Sequence, residues 1–215
     1  MTSSVNGGGV PLLAERAYLG LRDMIVTLRL PPGSPINEEA LAAQLGVGRT
    51  PLRDAIKRLE TENLVLIYPR RGTFVTEVNI TDHGLIADVR RQLEAHAAHR
   101  AAERATPEER EELGALIDSL AEEPGGPERS MELDTEVHRA IHRSAHNRYL
   151  ESTLNHYHNL SLRIWYLFLD RLPTVDHRAE HIPLLEAIVA GEGERAHELA
   201  GAHVDGFERS VRAAM

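Results

Sequence analysis

Two sets of side chains in this sequence could carry chemistry: arginines near the start of one predicted helix and histidines within several others. In the stretch GVGRTPLRDAIKRLE, Thr50 is predicted as the N-cap and Pro51 as the first helical residue, which places Arg49 just outside the helix and Arg53 in its first turn. A helix N-terminus carries roughly half a positive charge and favours a bound anion. These arginines are therefore either solvated, or they bind an anion that comes from outside the chain.

The twelve histidines, all of which follow residue 80, are candidate metal ligands. Asp134 and His138 are four residues apart, so on a helix they share a face and could hold one ion. His181 and His203 each lie beside an apolar helical stripe, which predicts that both face inward. A single inward histidine is more often a hydrogen-bonded core residue, whereas several in one bundle need partners that a shared ion could supply.

Spacing alone does not select the ligands of such an ion. His138, His142 and His146 are also four residues apart along one predicted helix, and so are His177 and His181 along another. The sequence contains no cysteine, so a tightly bound transition metal would have to use imidazole and carboxylate ligands.

The distribution of charge divides the chain into two parts. Residues 1–80 carry nine Lys or Arg and eight Asp or Glu, a net charge of +1, so the remainder must carry −10 to give the total of −9. The N-terminus has neither a basic nor an apolar region, and no segment approaches the roughly 18 apolar residues of a membrane helix. We therefore expect a soluble cytoplasmic protein with no membrane partner.

Residues 1–78 are predicted to form a winged helix-turn-helix domain. Apolar periodicity and capping residues predict three helices, over residues 11–29, 38–45 and 50–62. Asn37 is the predicted N-cap of the second helix and Gly46 its C-cap, so a tight turn joins the second and third helices. Two runs rich in β-branched residues then predict a hairpin with a basic tip, over residues 64–68 and 73–78.

Residues 79–215 are predicted to be helical throughout. A capping box at Thr106 opens one helix. The predicted helices span residues 81–104, 107–122, 130–145, 148–171, 175–190 and 193–212. The expected fold class is therefore mainly α, with an N-terminal winged helix-turn-helix and a C-terminal antiparallel bundle of six or seven helices.

In a helix-turn-helix, the N-terminal end of the second helix enters the major groove of DNA. Arg49, Thr50 and Arg53 lie at that end, where phosphate oxygens would supply the missing anion and an arginine could also bond to guanine. Lys57 and Arg58 extend the basic surface along the helix. The alternative is a generic three-helix domain with ordinary surface arginines.

The run LAAQLGVGRTPLRDAIKRLE, followed by RRGTFV, resembles the winged helix-turn-helix of the GntR family of bacterial transcription regulators. The resemblance implies that Arg49, Thr50 and Arg53, at the start of the third helix, contact operator DNA. It also implies that Gly72 lies at the tip of the wing, where Arg70 and Arg71 can reach a phosphate or the minor groove. Some members read a base with an arginine in the preceding helix, and Glu39 occupies that position here.

The helical part resembles the effector domain of the FadR subfamily, whose metal-binding members carry D-x-x-x-H on one helix and one histidine on each of the last two. The resemblance selects the metal ligands Asp134, His138, His181 and His203. Three nitrogens and one carboxylate suit a divalent zinc, nickel, manganese or iron ion. An octahedral ion with four protein ligands would keep two positions for water or for an effector carboxylate.

The run RRQLE, residues 90–94, matches the start of the first bundle helix of that subfamily, where the leading arginine lines the effector cavity. The resemblance thus implies that Arg90 pairs with an acid anion bound at the metal. A surface ion pair is the alternative. Arg163, which has apolar neighbours in NLSLRIWYLF, is a second candidate for the cavity, whereas His158 is expected to lie outside the site.

These features predict a homodimeric transcription repressor that binds double-stranded operator DNA and senses a small organic acid at its metal ion. The alternative is a helical metalloenzyme with a His3Asp site, since open coordination positions also serve hydrolytic or oxygen chemistry. An enzyme would leave the basic wing and the recognition helix unexplained.

Overall fold

The computed structural model describes residues 13–122, 127–168 and 177–214, most of which are helical. The elements in these ranges are α1 (Leu13–Val26), α2 (Glu38–Leu45), α3 (Arg49–Thr61), β1 (Val65–Tyr68), β2 (Gly72–Val75), α4 (Asp82–Arg104), α5 (Pro107–Ala121), α6 (Pro127–Ser144), α7 (Arg148–Phe168), α8 (His177–Ala190) and α9 (Gly193–Ala214). The predicted fold class is confirmed. The predictions for residues 11–12 and 169–171 and for residues 175–176 lie outside the described residues.

The chain divides into two compact units, with the boundary between Val78 and Asn79. The N-terminal unit contains α1, α2, α3 and the hairpin. As the sequence predicts, the Asn37 side chain accepts hydrogen bonds from two backbone N–H groups of α2, and Gly46 ends that helix with a φ of 63°. The core of this unit includes the fully buried side chains Leu21, Ile25, Leu52, Leu59 and Leu64.

The prediction that Thr50 caps α3 is wrong. Gly48 is the N-cap, with an extended φ of −75° and ψ of 167°, and the helix begins at Arg49. Pro51 is then the third helical residue. Proline does not destabilise the helix at this position, because the first helical N–H groups have no intrahelical partner. Arg49 therefore lies inside the first turn rather than before it, and Arg53 begins the second turn.

The hairpin after α3 has the antiparallel register expected of a wing. Tyr68 pairs with Gly72, so the connecting loop is residues 69–71. Arg70 and Gly72 have positive φ values of 65° and 106°, and glycine adopts the latter without steric cost. Val65 and Val75 are buried and attach the base of the hairpin to the helices, which leaves the basic loop exposed.

The C-terminal unit comprises the six helices α4 to α9 in its described part. The capping box predicted at Thr106 is present, because its side chain accepts from the Glu109 N–H while the Glu109 side chain accepts from the Thr106 N–H. The long helix α4 packs against α6, α7, α8 and α9. In the described ranges, no helix has both the length and the apolar composition needed to cross a bilayer.

Candidate functional site

Four potential metal ligands from three helices meet inside the C-terminal unit. Asp134 and His138 lie one turn apart on α6, His181 lies on α8 and His203 on α9. Each offers one donor atom, and the four donor atoms lie within 4.8 Å of one another. The four residues are between 0 and 5% exposed. The fold thus brings together the residues that helical spacing alone could not distinguish from the other histidine pairs.

The distances between these donor atoms fit a shared first-row metal ion. Nε2 of His138 lies 3.2 Å from Nε2 of His203, and Oδ1 of Asp134 lies 3.6 Å from Nε2 of His181 and 3.8 Å from Nε2 of His138. Ligands that bind one such ion at about 2.0–2.2 Å are separated by about 3 to 4.4 Å. The donor set could therefore hold a divalent cation with small side-chain adjustments.

The outer nitrogens of two of these histidines face carboxylates. Nδ1 of His203 lies 2.7 Å from Oε2 of Glu180, and Nδ1 of His138 lies 3.3 Å from Oε2 of Glu94. An ionised carboxylate only accepts hydrogen bonds, so both Nδ1 atoms must carry the proton. The lone pairs on the two Nε2 atoms then face each other at 3.2 Å, which is unfavourable unless a cation, or a proton on one ring, lies between them.

Glu94 on α4 joins the histidines to a buried arginine. Its Oε1 accepts a hydrogen bond from Arg90 at 2.9 Å, and its Oε2 lies 2.8 Å from Nε2 of His142. Burial alone would raise the pKa of Glu94, but His142, His138 and Arg90 lower it well below its usual value. Glu94, His138 and His142 also form a second group whose geometry could hold a metal. No sequence pattern marked Glu94 as a residue of the site, and helical spacing left His142 as one of several alternative histidines.

Arg90 lies in the interior, so the alternative of a surface ion pair is wrong. Its side chain is 4% exposed and donates hydrogen bonds to Glu94 and, at 2.9 Å, to Oγ of Ser161 on α7. The guanidinium of Arg90 is therefore already engaged on one side by Glu94. The second cavity candidate, Arg163 on the same helix α7, is also buried.

His158 lies beside the candidate metal ligands, contrary to the expectation from sequence. Its ring centre is 4.5 Å from that of His138, and its Nε2 is 3.9 Å from Oδ2 of Asp134. Burial, with the charges of His138 and Arg90, lowers the pKa of His158 well below its usual value, so the ring is neutral. Because Arg90 can only donate to Nδ1, at 3.3 Å, the proton of His158 lies on Nε2, on the side of Asp134.

The predicted DNA-contacting residues form an exposed basic surface on the N-terminal unit. One face of α3 is buried through Leu52, Ala55, Ile56 and Leu59. The opposite face and the hairpin loop expose every predicted contact residue, namely Arg49, Thr50, Arg53, Lys57, Arg70, Arg71 and Gly72. The structure therefore leaves these side chains available to a nucleic acid.

Two carboxylates of α2 pair with the two arginines at the start of α3. Oε2 of Glu38 lies 2.7 Å from Nε of Arg53, and Oε1 of Glu39 lies 3.4 Å from NH2 of Arg49. Exposed ion pairs of this kind contribute about 0–1 kcal/mol, so phosphate can replace them readily. Glu39, at the position where some GntR regulators place a base-reading arginine, instead contacts an arginine of the recognition helix.

Arg58 does not extend the DNA-facing surface, although the sequence suggested it. Its guanidinium carbon lies 3.4 Å from the ring centre of Tyr18, and NH1 is 2.9 Å from Oε2 of Glu15. Both partners belong to α1. Arg58 therefore joins α3 to α1 through a cation-π contact and an ion pair.

Two family models match the chain. The model for "Bacterial regulatory proteins, gntR family" matches residues 13–75, and the model for the FCD domain matches residues 85–206. The first range contains α1 to β2, and the second contains every candidate metal ligand.

Individual relatives extend over most of the chain. The HTH-type transcriptional regulator YdhC of Bacillus subtilis is 32% identical over 77% of this chain and 73% of its own length. A probable D-xylose utilization operon transcriptional repressor of Paenarthrobacter nicotinovorans is 29% identical over 87% of this chain and 85% of its own. The solved structure of McbR/YncC from E. coli, 22% identical, has a TM-score of 0.82 over 95% of this chain and 99% of that one, which shows a shared fold.

We expect Glu94→Ala to destabilise the protein by about 3–5 kcal/mol, because it leaves the Arg90 charge buried without its carboxylate. The measurement is the free energy of unfolding from urea denaturation. The control is Glu192→Ala, which removes an exposed ion pair with Arg195 whose side chains are 47 and 55% exposed. That change should cost no more than about 1 kcal/mol. Equal losses for both variants would contradict the assignment of a buried ion pair.

Proposed function

Because the chain belongs to the GntR family of bacterial regulatory proteins and is a DNA-binding transcription regulator, we propose that it is a repressor whose operator affinity is set by a small carboxylate bound at a metal ion in its FCD domain. The observation that carries the proposal is the buried set of Asp134, His138, His181 and His203. The family consists of transcription regulators, so the alternative of a helical metalloenzyme is not retained.

The metal component is supported by the chemistry of the donor set. Three imidazoles and one carboxylate are suitable ligands for zinc, nickel, manganese or iron. When bound, the ion would act as a Lewis acid that accepts an oxygen of the effector. The residues of this chain would hold it by four donors, with Glu94 and Glu180 behind His138 and His203.

An anionic effector would have two positive groups to bind. A divalent ion with four protein donors would keep open coordination positions, and the buried guanidinium of Arg90, which pairs with Glu94, lies beside the ligands. A carboxylate group suits both, because its oxygens can coordinate an ion and can accept hydrogen bonds from an arginine.

The DNA-binding component is supported by the exposed basic surface at the start of α3. Arg49 lies in the first turn, where the positive end of the helix dipole adds to its own charge. Glu38 engages Nε of Arg53, a bond that leaves the two terminal nitrogens of that guanidinium to face a guanine or a phosphate. We further propose that two copies of the chain bind a palindromic operator as a homodimer, because a two-fold operator requires two recognition helices.

We expect Arg49→Ala and Arg53→Ala each to weaken operator binding about 5- to 150-fold, which corresponds to about 1–3 kcal/mol for a base contact. Both side chains are exposed, so the free energy of unfolding should not change. Fluorescence anisotropy with the DNA upstream of the gene, at several salt concentrations, would measure the affinity. Arg29→Ala, an exposed arginine of the same unit outside α3, should bind like the parent protein. Parental affinity in both α3 variants would refute the assigned interface.

His181→Ala and His203→Ala should each lose the bound metal ion, because three remaining donors hold it far less tightly than four. The matched control is His197→Ala, an exposed histidine on the same helix as His203, which should retain the metal. Elemental analysis of the purified proteins, together with their thermal unfolding before and after chelation, gives the comparison. If all three variants carry equal metal, the ligand assignment is wrong.

An organic acid that coordinates the metal should change operator affinity about 5- to 150-fold, a coupling of about 1–3 kcal/mol. Thermodynamic linkage requires the operator to change the affinity for the acid by the same factor. Titration of short monocarboxylates by calorimetry, with and without operator DNA, tests both directions. An acid with identical affinity in the two titrations is not the effector. If every metal-binding acid behaves in this way, the ion is structural and does not transmit a signal.

A further inference from the structure

We infer that Glu180 is a positioning residue of the metal site, which accepts a hydrogen bond from Nδ1 of His203 and so orients the ring with Nε2 toward the ion. The inference rests on the proposed metal site and names a residue outside its ligand set. Glu180 immediately precedes the ligand His181 on α8, and adjacent residues of a helix point about 100° apart. Helix α8 therefore supplies the ligand His181 and, through the residue before it, supports the ligand His203 of α9.

The carboxylate of Glu180 determines which ring nitrogen of His203 carries a proton. Nδ1 of His203 lies 2.7 Å from Oε2 of Glu180, and the His203 side chain is 4% exposed. Because an ionised carboxylate cannot donate, this short contact places a proton on Nδ1, so in the neutral ring the lone pair is on Nε2, 3.2 Å from Nε2 of His138. Negative charge next to Nδ1 of a metal-bound imidazole also makes the other nitrogen, Nε2, a stronger donor to the metal.

The backbone of α9 leaves room for this carboxylate. Gly206 lies three residues after His203, on the same side of the helix. A Cβ atom at position 206 would lie 3.0 Å from Oε1 of Glu180, closer than side chains normally approach. The glycine therefore allows the carboxylate to lie against α9, where it reaches the imidazole.

The test is the zinc affinity of the full-length protein, measured by competition with a chromophoric chelator. Glu180→Ala should weaken zinc binding about 10- to 100-fold, the usual cost of removing a carboxylate behind a metal-bound histidine. Glu180→Gln should fall between this variant and the parent, because its amide oxygen can accept from Nδ1 but carries no charge. The side chain is 39% exposed, so both variants should fold, which thermal unfolding of the metal-free proteins checks.

The matched control is Glu186→Ala, an exposed glutamate six residues further along α8, which should bind zinc like the parent. Nitrogen-15 spectra of the zinc-loaded parent give a readout that general destabilisation would not change. They should show His203 bound to zinc through Nε2, with a proton on Nδ1 that is protected from exchange and loses that protection in Glu180→Ala.

Two results would overturn the inference while leaving the metal site intact. One is a Glu180→Ala protein that binds zinc as tightly as the parent. The other is coordination of zinc by His203 through Nδ1, because Nδ1 could then not donate a hydrogen bond to Glu180. A parent protein that binds neither zinc nor nickel, manganese or iron would instead remove the proposed metal site itself, so the two failures are distinguishable.

Discussion

The buried carboxylate of Glu94 is the interaction on which the arrangement of the helical unit most depends. One oxygen accepts from Arg90, one turn before it on α4, and the other faces His138 and His142 on α6. Arg90 reaches onward to Ser161 on α7. An ion pair of this kind adds little net stability compared with an apolar pair, but removal of either partner leaves an uncompensated buried charge. The three helices are therefore held in a register in which every member of the network has its partner.

The two units of the chain use charge in opposite ways. In the DNA-binding unit, Arg49 and Arg53 pair with glutamates in water, where the pairs are weak and a phosphate can take the place of a carboxylate. In the helical unit, Arg90 and Glu94 are almost fully excluded from water, so exchange of partners would leave a charge buried alone. The first arrangement suits reversible binding to a polyanion, whereas the second provides a fixed environment around a small site.

Local signals in the sequence were sufficient for most helix ends but not for the whole site. Asn37 and Gly46 delimit α2 as expected, because caps act over three or four residues. The start of α3 was misjudged because both Gly48 and Thr50 are acceptable N-caps, and a proline is tolerated at any of the first helical positions. Glu94 and His158 were missed for a different reason. Their contacts join residues far apart in the sequence, and the alanine-rich α4 has no apolar stripe that would show which of its charged residues face inward.

Burial of the site supplies a physical route from ligand binding to conformation. The four candidate ligands are between 0 and 5% exposed, so an anion can reach an ion held by them only if side chains or helix segments around the site move. A ligand that binds the moved arrangement more tightly than the closed one shifts the population between them by its difference in affinity. Helix α4 carries Arg90 and Glu94 at the site and begins at Asp82, only a few residues after the DNA-binding unit ends at Val78. The segment between Val78 and Asp82 is therefore the covalent connection through which a displacement of α4 would reach the DNA-binding unit.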